Sequence, residues 1–299
     1  MKNILLSACV ASLLIGSSVQ AKEVAPKGAT VAQVNTVAVS NAKSKAEAGQ
    51  AKLVKEAIAS LADAHEALIA IEQKDAKKAT KKLEDALGKL EVTLASKEVP
   101  KLLPIDSVVS VNAFVGTSSD IDAILSKVKR YINEGKVQEA RALMLPLQSE
   151  IDITIVSLPL ASYPDALKLA ATYLHSNELS KAHHILAIAL STFTKEVEVM
   201  PIPLLKATDL IASAAAIAKE DKKMALAYLE AANESLFVAQ KLGYVSKSET
   251  TYKVLHEQIK QVKEEIEGPN KAEALFLKLK SSLKAFQEKI FSEKDSENK

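Results

Sequence analysis

Two observations predict a mainly α-helical fold, built of packed helical hairpins with short β-strand segments inserted between them. The chain is rich in Ala, Leu, Lys and Glu but holds only 8 Gly, 9 Pro and 4% aromatic residues, a composition that favours helices packed through small and aliphatic side chains. Apolar residues recur at spacings of three and four in several stretches, whereas β-branched residues alternate with other types in a few short ones. With 48% apolar residues, the chain can bury a sizeable core.

The first 21 residues have the pattern of a secretory signal peptide. After a short basic start, residues 4–15 form an apolar run, and Ala21 is the small residue that precedes a cleavage site. The run is too short for a permanent membrane anchor, so we predict secretion and a mature chain that begins near Lys22. The only cysteine, Cys9, lies in the discarded segment. Residues 6–9, which end at Cys9, have the residue types of a lipoprotein cleavage box. Only five residues would form the apolar core before Cys9, so lipidation is not the preferred interpretation.

Four helical hairpins are predicted, each with a short polar turn. They lie within residues 53–90, 121–144, 166–190 and 210–232. The second helix of each hairpin starts with an Ala that is followed one turn later by a larger apolar residue: Ala79 and Leu83, Ala140 and Met144, Ala182 and Leu186, Ala225 and Leu229. An Ala at a crossing lets two helix axes approach closely, and the larger side chain fills the groove beside it.

Short segments between the hairpins have a period of two, which is typical of strands. They are residues 109–115, 151–155 and 196–199, and they are predicted to be extended and to pair with one another. Ser119 and Asp120 are predicted to be N-caps of the helix that begins near Ile121.

The predicted domain order follows from these segments. The helical-hairpin domain covers residues 22–245. Two amphipathic helices in residues 246–291, split at Gly268, are expected to belong to the same domain, and residues 292–299 are expected to form a disordered tail.

The prolines and the turns between the hairpins carry a family resemblance. Residues 102–106, Leu-Leu-Pro-Ile-Asp, are similar to the Leu-Ile-Pro-Ile-Asp segment of the YfdX family, and further short motifs follow in the same order over roughly residues 45–245. The positions that match the family's motifs are Leu103, Pro104, Ile105, Asp106, Pro159, Pro201, Leu242, Gly243 and Tyr244.

The resemblance implies a secreted, mainly helical protein of the bacterial periplasm. Members of the family are associated with tolerance of stress, including heat and acid, and chaperone-like behaviour has been proposed for them. No catalytic residues are established for the family, so the matching positions carry no assigned role.

Histidines are the residues that the sequence offers for sensing pH. His175 precedes a turn and His183 and His184 follow it, so the third hairpin can bring two of them together. Free histidine titrates near pH 6.5, so acidification would charge this group. Adjacent histidines on a helix point about 100° apart and no third ligand has metal spacing, so we predict no metal site.

No catalytic or cofactor site is predicted. The sequence has no nucleophile-elbow, phosphate-loop or dinucleotide-binding glycine pattern, and the mature chain has no thiol. The formal charge of +2 gives no electrostatic case for nucleic-acid binding, and no later apolar run is long enough for stable membrane insertion.

Three non-enzymatic hypotheses follow. The preferred one is a stress-response protein that holds unfolding periplasmic proteins without ATP. The second is a small-molecule binding module, with a pocket lined by aromatic and proline residues: Tyr163, Tyr173, Phe193, Tyr244, Pro159, Pro164 and Pro201. The third is a structural subunit of a homo-oligomer, in which the long N-terminal helix or the C-terminal helices pair between copies.

Overall fold

The structure, a computed structural model, describes a mainly helical chain. The described residues are 25–48, 54–95, 100–246, 250–268 and 272–297. The predicted signal peptide lies outside them, so its prediction rests on the sequence alone. Within the described part, the predicted fold class is confirmed: helices dominate and three short strands lie between them.

The helices follow the predicted hairpins closely. Their bounds are α1 Val31–Ala48, α2 Lys55–Glu72, α3 Ala76–Leu94, α4 Ser118–Asn133, α5 Val137–Met144, α6 Tyr163–His175, α7 Leu179–Ala189, α8 Ile202–Ile217, α9 Lys222–Lys241, α10 Thr250–Glu267 and α11 Glu273–Glu297. The four predicted hairpins are α2–α3, α4–α5, α6–α7 and α8–α9. The last helix is described to Glu297, within the segment predicted as a tail.

The three strands form one antiparallel sheet in the order β1-β2-β3. Their bounds are β1 Leu102–Asn112, β2 Glu150–Pro159 and β3 Thr194–Pro201. The backbone N–H of Leu160 donates to the carbonyl of Lys101 at 2.9 Å, while Ser110 lies beside Asp152 near the other end of the same pair. The predicted pairing of these segments is confirmed, although the first strand begins earlier than predicted and ends at Asn112.

The chain divides into two compact units, each assembled from separate segments. The first unit contains Met1–Gly49, Val109–Asp152 and Glu198–Lys299, and the second contains Gln50–Val108 and Ile153–Val197. Each strand begins in one unit and ends in the other.

The core of the first unit lies around the hairpin α8–α9. Leu210 of α8 and Leu229 of α9 are completely buried, together with Leu255 of α10 and Phe286 of α11. Helix α1 adds Val34 to the same cluster. The C-terminal helices therefore pack on this core, because their apolar faces are buried against it.

The core of the second unit lies between the hairpins α2–α3 and α6–α7. Leu83 of α3 and Leu167 of α6 are completely buried in it. Leu103 of β1 and Leu158 of β2 are buried in the same cluster. Leu103 and Leu158, which lie near strand ends, are therefore core residues.

The predicted close helix crossings are confirmed by burial. Each Ala that starts the pattern in the second helix of a hairpin is at most 2% exposed: Ala79, Ala140, Ala182 and Ala225. A side chain this small at a buried crossing lets the two helix backbones come close.

Candidate functional site

One of the four hairpins does not bury the residue that the other three bury. Leu83, Leu186 and Leu229, one turn after the crossing Ala, are completely buried. Met144, the equivalent residue of α5, is 51% exposed. Because the same sequence pattern gives a covered side chain in three hairpins, the exposed side chain marks a face that the described residues leave uncovered.

Further apolar side chains are exposed around Met144. Ile132 is 53% exposed, Val137 58% and Leu145 65%. With Ala140 and Arg141 they line a groove of about 280 Å³ along α5 and the turn that precedes it, which we call the α4–α5 groove. Exposed apolar side chains gathered in one place are typical of an interaction surface.

Helix α5 is short for a sequence reason. Pro146 follows its last residue by two positions, and a proline cannot continue a helix because it lacks the N–H and clashes with the preceding turn. The 8-residue helix buries only Ala140. Leu147 stands where the other three hairpins have a second Ala, at positions 86, 189 and 232. The missing second Ala of α5 is the sequence feature that could have predicted this exposed face.

The N-terminus of α4 is closed by a reciprocal pair of hydrogen bonds, a capping box. The Thr117 side chain accepts from the backbone N–H of Asp120, and the Asp120 carboxylate accepts from the backbone N–H of Thr117 at 2.8 Å. The prediction that Ser119 or Asp120 is the N-cap is therefore wrong: Thr117 is the N-cap and Asp120 is the third residue of the helix. The hydrogen bonds from the Thr117 backbone and hydroxyl lower the pKa of Asp120.

Two polar contacts tie the same helix to α9. Glu234 accepts from the backbone N–H of Ser118 at 2.6 Å, and Lys241 donates to Asp122 at 2.7 Å. The negative Glu234 carboxylate at a helix N-terminus is favoured by the helix dipole. Both contacts involve the N-terminal part of α4, whereas the groove residues lie at the C-terminal turn of α4 and along α5.

A second cavity, of about 340 Å³, lies on the hairpin α6–α7 in the second unit. Pro159 and Tyr163 line it as predicted, together with Leu169 and Ile188, which are 41% and 48% exposed. Burial raises the pKa of Tyr163 to about 12, so its phenol is neutral at ordinary pH. The other residues predicted for this pocket do not line it: Tyr173, Phe193, Tyr244, Pro164 and Pro201.

Two of the family-motif segments meet at Ser149 in the first unit. The Tyr244 hydroxyl accepts from the backbone N–H of Ser149 at 2.8 Å. The residue after Pro201, Ile202, donates its N–H to the carbonyl of Ser149 at 2.8 Å. Gly243 has a φ of +86°, the left-handed conformation that ends a helix and that glycine adopts without a steric penalty. Leu242, Gly243 and Tyr244 thus end α9 and then brace the start of β2.

The remaining family-motif positions are structural in the second unit. Leu103 is completely buried, and Ile105 packs against the same core. The carbonyl of Pro104 accepts from the backbone N–H of Val54 at 3.0 Å. Asp106 is exposed, and Pro159 ends β2.

The three predicted pH-sensing histidines lie on the surface of α6 and α7. His175 and His184 are exposed, and Nε2 of His183 lies 3.3 Å from a carboxylate oxygen of Glu72. In the described part of the chain, no group of three or more His, Cys, Asp or Glu side chains could hold a metal ion. The role of these histidines in sensing pH stays a prediction.

Sequence reasoning missed His256, which is enclosed in the first unit. Its ring lies 4.5 Å from the rings of Phe237 and Tyr252, and its Nδ1 lies 2.5 Å from Oδ1 of Asn233. Burial lowers the pKa of His256 from its ordinary value of 6.5. Its position on the same face as Tyr252, four residues earlier on α10, is the only sequence signal.

A buried carboxylate in the second unit was also missed. Asp63 of α2 is only 6% exposed and accepts hydrogen bonds from Lys82, at 3.2 Å, and from Lys89. Burial favours the neutral acid, but the two lysines outweigh it and lower the pKa of Asp63. The sequence alone places Lys82 on a solvated helix face, since it does not show that α3 packs against α2 at this point.

The geometry defines a class of protein: helical hairpins inserted between the strands of a small antiparallel sheet, with an apolar groove on one hairpin. A family model described as YfdX protein matches residues 59–199. This match confirms, over that stretch of the chain, the resemblance to the YfdX family seen in the motifs. Pro201 and residues 242–244 lie beyond the matched stretch.

The similarity to a solved protein is distant. A crystal structure of YfdX from Salmonella Typhi is similar over 50% of this chain and 93% of its own, with 12% sequence identity and a TM-score of 0.36. No curated protein matches the chain. Among the described helices, none combines the length and apolar character needed to cross a membrane.

Proposed function

We propose that this chain is an exported, non-catalytic stress protein that holds partly unfolded proteins without ATP, and that it binds them through the α4–α5 groove. The observation that carries the proposal is the exposure of Met144, where three equivalent residues are buried. Unfolding proteins expose apolar side chains, and a preformed apolar groove lowers the free energy of such chains by removing them from water.

The chemistry of the groove suits varied partners. Met is unbranched and polarizable, so it adapts to side chains of different shapes, and Val137 and Leu145 extend the apolar surface on either side of it. Passive holding requires no nucleotide, which agrees with the export predicted from residues 1–21. Association with heat and acid stress comes from the family resemblance.

Light scattering of a heat-stressed periplasmic client tests the proposal. The mature protein, residues 22–299, is added at near-stoichiometric ratio at about pH 7 and about pH 5. We expect suppressed aggregation at both pH values. A client that aggregates equally with and without the protein at both pH values would show the proposal to be wrong.

A pair of variants locates the binding surface. In V137S/M144S, two exposed groove side chains lose their apolar character without disturbing the core. The matched control is V92S on α3, where Val92 is 66% exposed and distant in sequence. We expect the groove variant to lose most of the suppression and the control to keep it, with equal helix content by circular dichroism in both.

The cavity on α6–α7 supports a second candidate function, the binding of a small molecule. Its volume of about 340 Å³ and its apolar lining suit a small apolar ligand. A thermal-shift screen tests this, because a ligand that binds the native state raises the melting temperature. The variant L169D, which places a charge in the cavity, is expected to abolish the shift given by any true ligand of this cavity.

A further inference from the structure

The surroundings of the α4–α5 groove are rich in positive charge. Residues 123–148 contain five cationic side chains and two acidic ones, although the whole chain is almost neutral. The cationic side chains are Lys127, Lys129, Arg130, Lys136 and Arg141, and all five residues are exposed. Arg141 itself lines the groove.

Three of these cations gather at one aromatic ring. Nζ of Lys127 lies 5.6 Å from the centroid of the Tyr131 ring, and the guanidinium carbon of Arg130 and Nζ of Lys136 lie 5.4 and 5.8 Å from it. A cation near an aromatic face is attracted by the ring's quadrupole. Tyr131 and Lys136 directly neighbour the groove residues Ile132 and Val137 in sequence, so the cluster and the groove share the turn between α4 and α5.

The acidic side chains of the hairpin neutralise only part of this charge. Glu134 lies 2.7 Å from Lys136 and 3.9 Å from Arg130. Within the described part of the chain, Lys127, Lys129 and Arg141 form no ion pair with an acidic side chain. With Glu139 counted as well, residues 123–148 carry a net surplus of three positive charges, and Arg141 of this set lines the apolar groove.

We propose that the groove binds protein segments in which apolar side chains are flanked by acidic ones. The apolar side chains enter the groove beside Met144, and the acidic ones pair with Lys127, Lys129 and Arg141. This proposal rests on the proposed holding function and names the chemistry of the segments held. Complementary charge at the edge of a groove mainly accelerates encounter and selects among partners, while burial of apolar surface supplies the affinity.

The charge and the shape of the groove argue against two other binding partners, a second copy of the chain and a bilayer surface. A symmetric contact with a second copy would place the cations of one groove against those of the other, which is unfavourable. A bilayer surface is met best by apolar side chains that protrude, whereas these line a concave groove of about 280 Å³, a size that accepts one or two large side chains.

Fluorescence anisotropy with three labelled peptides tests the proposal on the mature protein. The peptides share one apolar sequence rich in Leu and Phe and differ only in their flanking residues, which are Glu, Gln or Lys. At about 50 mM salt we expect the Glu peptide to bind about tenfold more tightly than the Gln peptide, the effect that three weak exposed ion pairs supply together. The Lys peptide binds most weakly, and at about 500 mM salt the three affinities converge because the charges are screened.

Matched charge variants assign the preference to the groove. K127Q/K129Q/R141Q removes the three cations that lack an acidic partner, and K77Q/K78Q/K81Q removes three exposed lysines from α3. We expect the first variant to bind the three peptides equally and the second to keep the wild-type preference.

The outcomes separate this proposal from the proposed function. Equal affinity of the wild type for all three peptides, with aggregation still suppressed, overturns the acidic preference and leaves the holding function intact. No peptide binding and no suppression overturns both. Two further results would overturn the proposal if the three peptides also bind equally. Sedimentation of the protein with vesicles of anionic lipid would assign the groove to a membrane surface. A dimer that dissociates in V137S/M144S would assign it to a second copy of the chain.

Discussion

At the scale of single residues, the tyrosine that closes the family motif has a definite structural task. The Tyr244 hydroxyl accepts a hydrogen bond from the backbone N–H of Ser149, a residue that is only 2% exposed. Burial raises the pKa of the Tyr244 phenol, and the neighbouring carboxylate of Glu150 raises it further, so the hydroxyl stays neutral. The motif residue Tyr244 therefore has a structural role that can be tested, which is to accept the hydrogen bond from Ser149.

The variant Y244F should destabilise the protein. Removing the hydroxyl leaves the buried N–H of Ser149 without its acceptor, which costs about 1–3 kcal/mol of unfolding free energy. Urea unfolding measures the change. The matched control is Y252F: the Tyr252 hydroxyl is buried and has no hydrogen-bond partner in the described part of the chain, so its loss should be neutral or slightly stabilising. Equal losses in both variants would contradict the assigned role.

His256 should make the stability of the protein depend on pH. Burial lowers its pKa in the folded state, so below about pH 6.5 the unfolded chain binds more protons than the folded one. The free energy of unfolding therefore falls as the pH decreases from about 6.5 through the folded-state pKa, by up to about 1.4 kcal/mol per pH unit.

Urea unfolding between pH 7 and pH 4, about the range in which histidine titrates, measures this dependence. The variant H256Q, which keeps a side-chain donor for Asn233, should flatten the profile. H175Q, at an exposed histidine, should not. An unchanged profile in H256Q, or a flattened one in H175Q, would assign the pH dependence elsewhere.

At the scale of elements, the hairpins show how one sequence pattern gives two outcomes. The pattern of Ala followed by a larger apolar residue predicts a close helix crossing in all four hairpins, and each Ala is buried. The residue one turn later is buried only where another helix covers it, as α6 helps to cover the face of α3 that carries Leu83. The described part of the first unit does not cover Met144 in this way: α5 ends at Met144, two residues before Pro146, and the groove stays open.

The capping box of α4 should control the order of this hairpin. T117A removes the side chain that caps the helix, at a cost of about 1 kcal/mol. The amide protons of the first turn of α4 should then exchange about fivefold faster, as measured by hydrogen–deuterium exchange. S119A is the control, since Ser119 is exposed and the structure gives the capping role to Thr117. Faster exchange in S119A than in T117A would restore the sequence-based assignment of the cap.

At the scale of the whole molecule, the C-terminal helices are part of the first unit's core. Phe286 of α11 is completely buried, and Gln287 donates from Nε2 to the hydroxyl of Thr208 on α8 at 2.8 Å. Helices α10 and α11 therefore contribute to the same cooperative core as α8 and α9, which leaves their apolar faces covered within one copy.

F286A should accordingly destabilise the whole first unit. Truncating a buried Phe to Ala costs about 3–5 kcal/mol through lost burial and the cavity left behind. Thermal unfolding followed by circular dichroism measures the loss. L277A, at a residue of the same helix that is 66% exposed, should change the stability by less than about 0.5 kcal/mol. A stability of F286A equal to that of L277A would mean that α11 does not share this core.

The helices, their pairing into hairpins, the strand segments and the family were all predictable from the amino-acid sequence. Each of these depends on local periodicity, on proline and glycine positions, or on short motifs, which are readable without knowing what lies nearby. The covering of apolar faces was not predictable, and the folded chain alone reveals it. Met144 is exposed, Asp63 is buried beside Lys89 and His256 is enclosed, because burial depends on segments that are distant in sequence. The candidate groove escaped prediction for that reason: an uncovered face and a covered one have the same pattern until the neighbouring helices are in place.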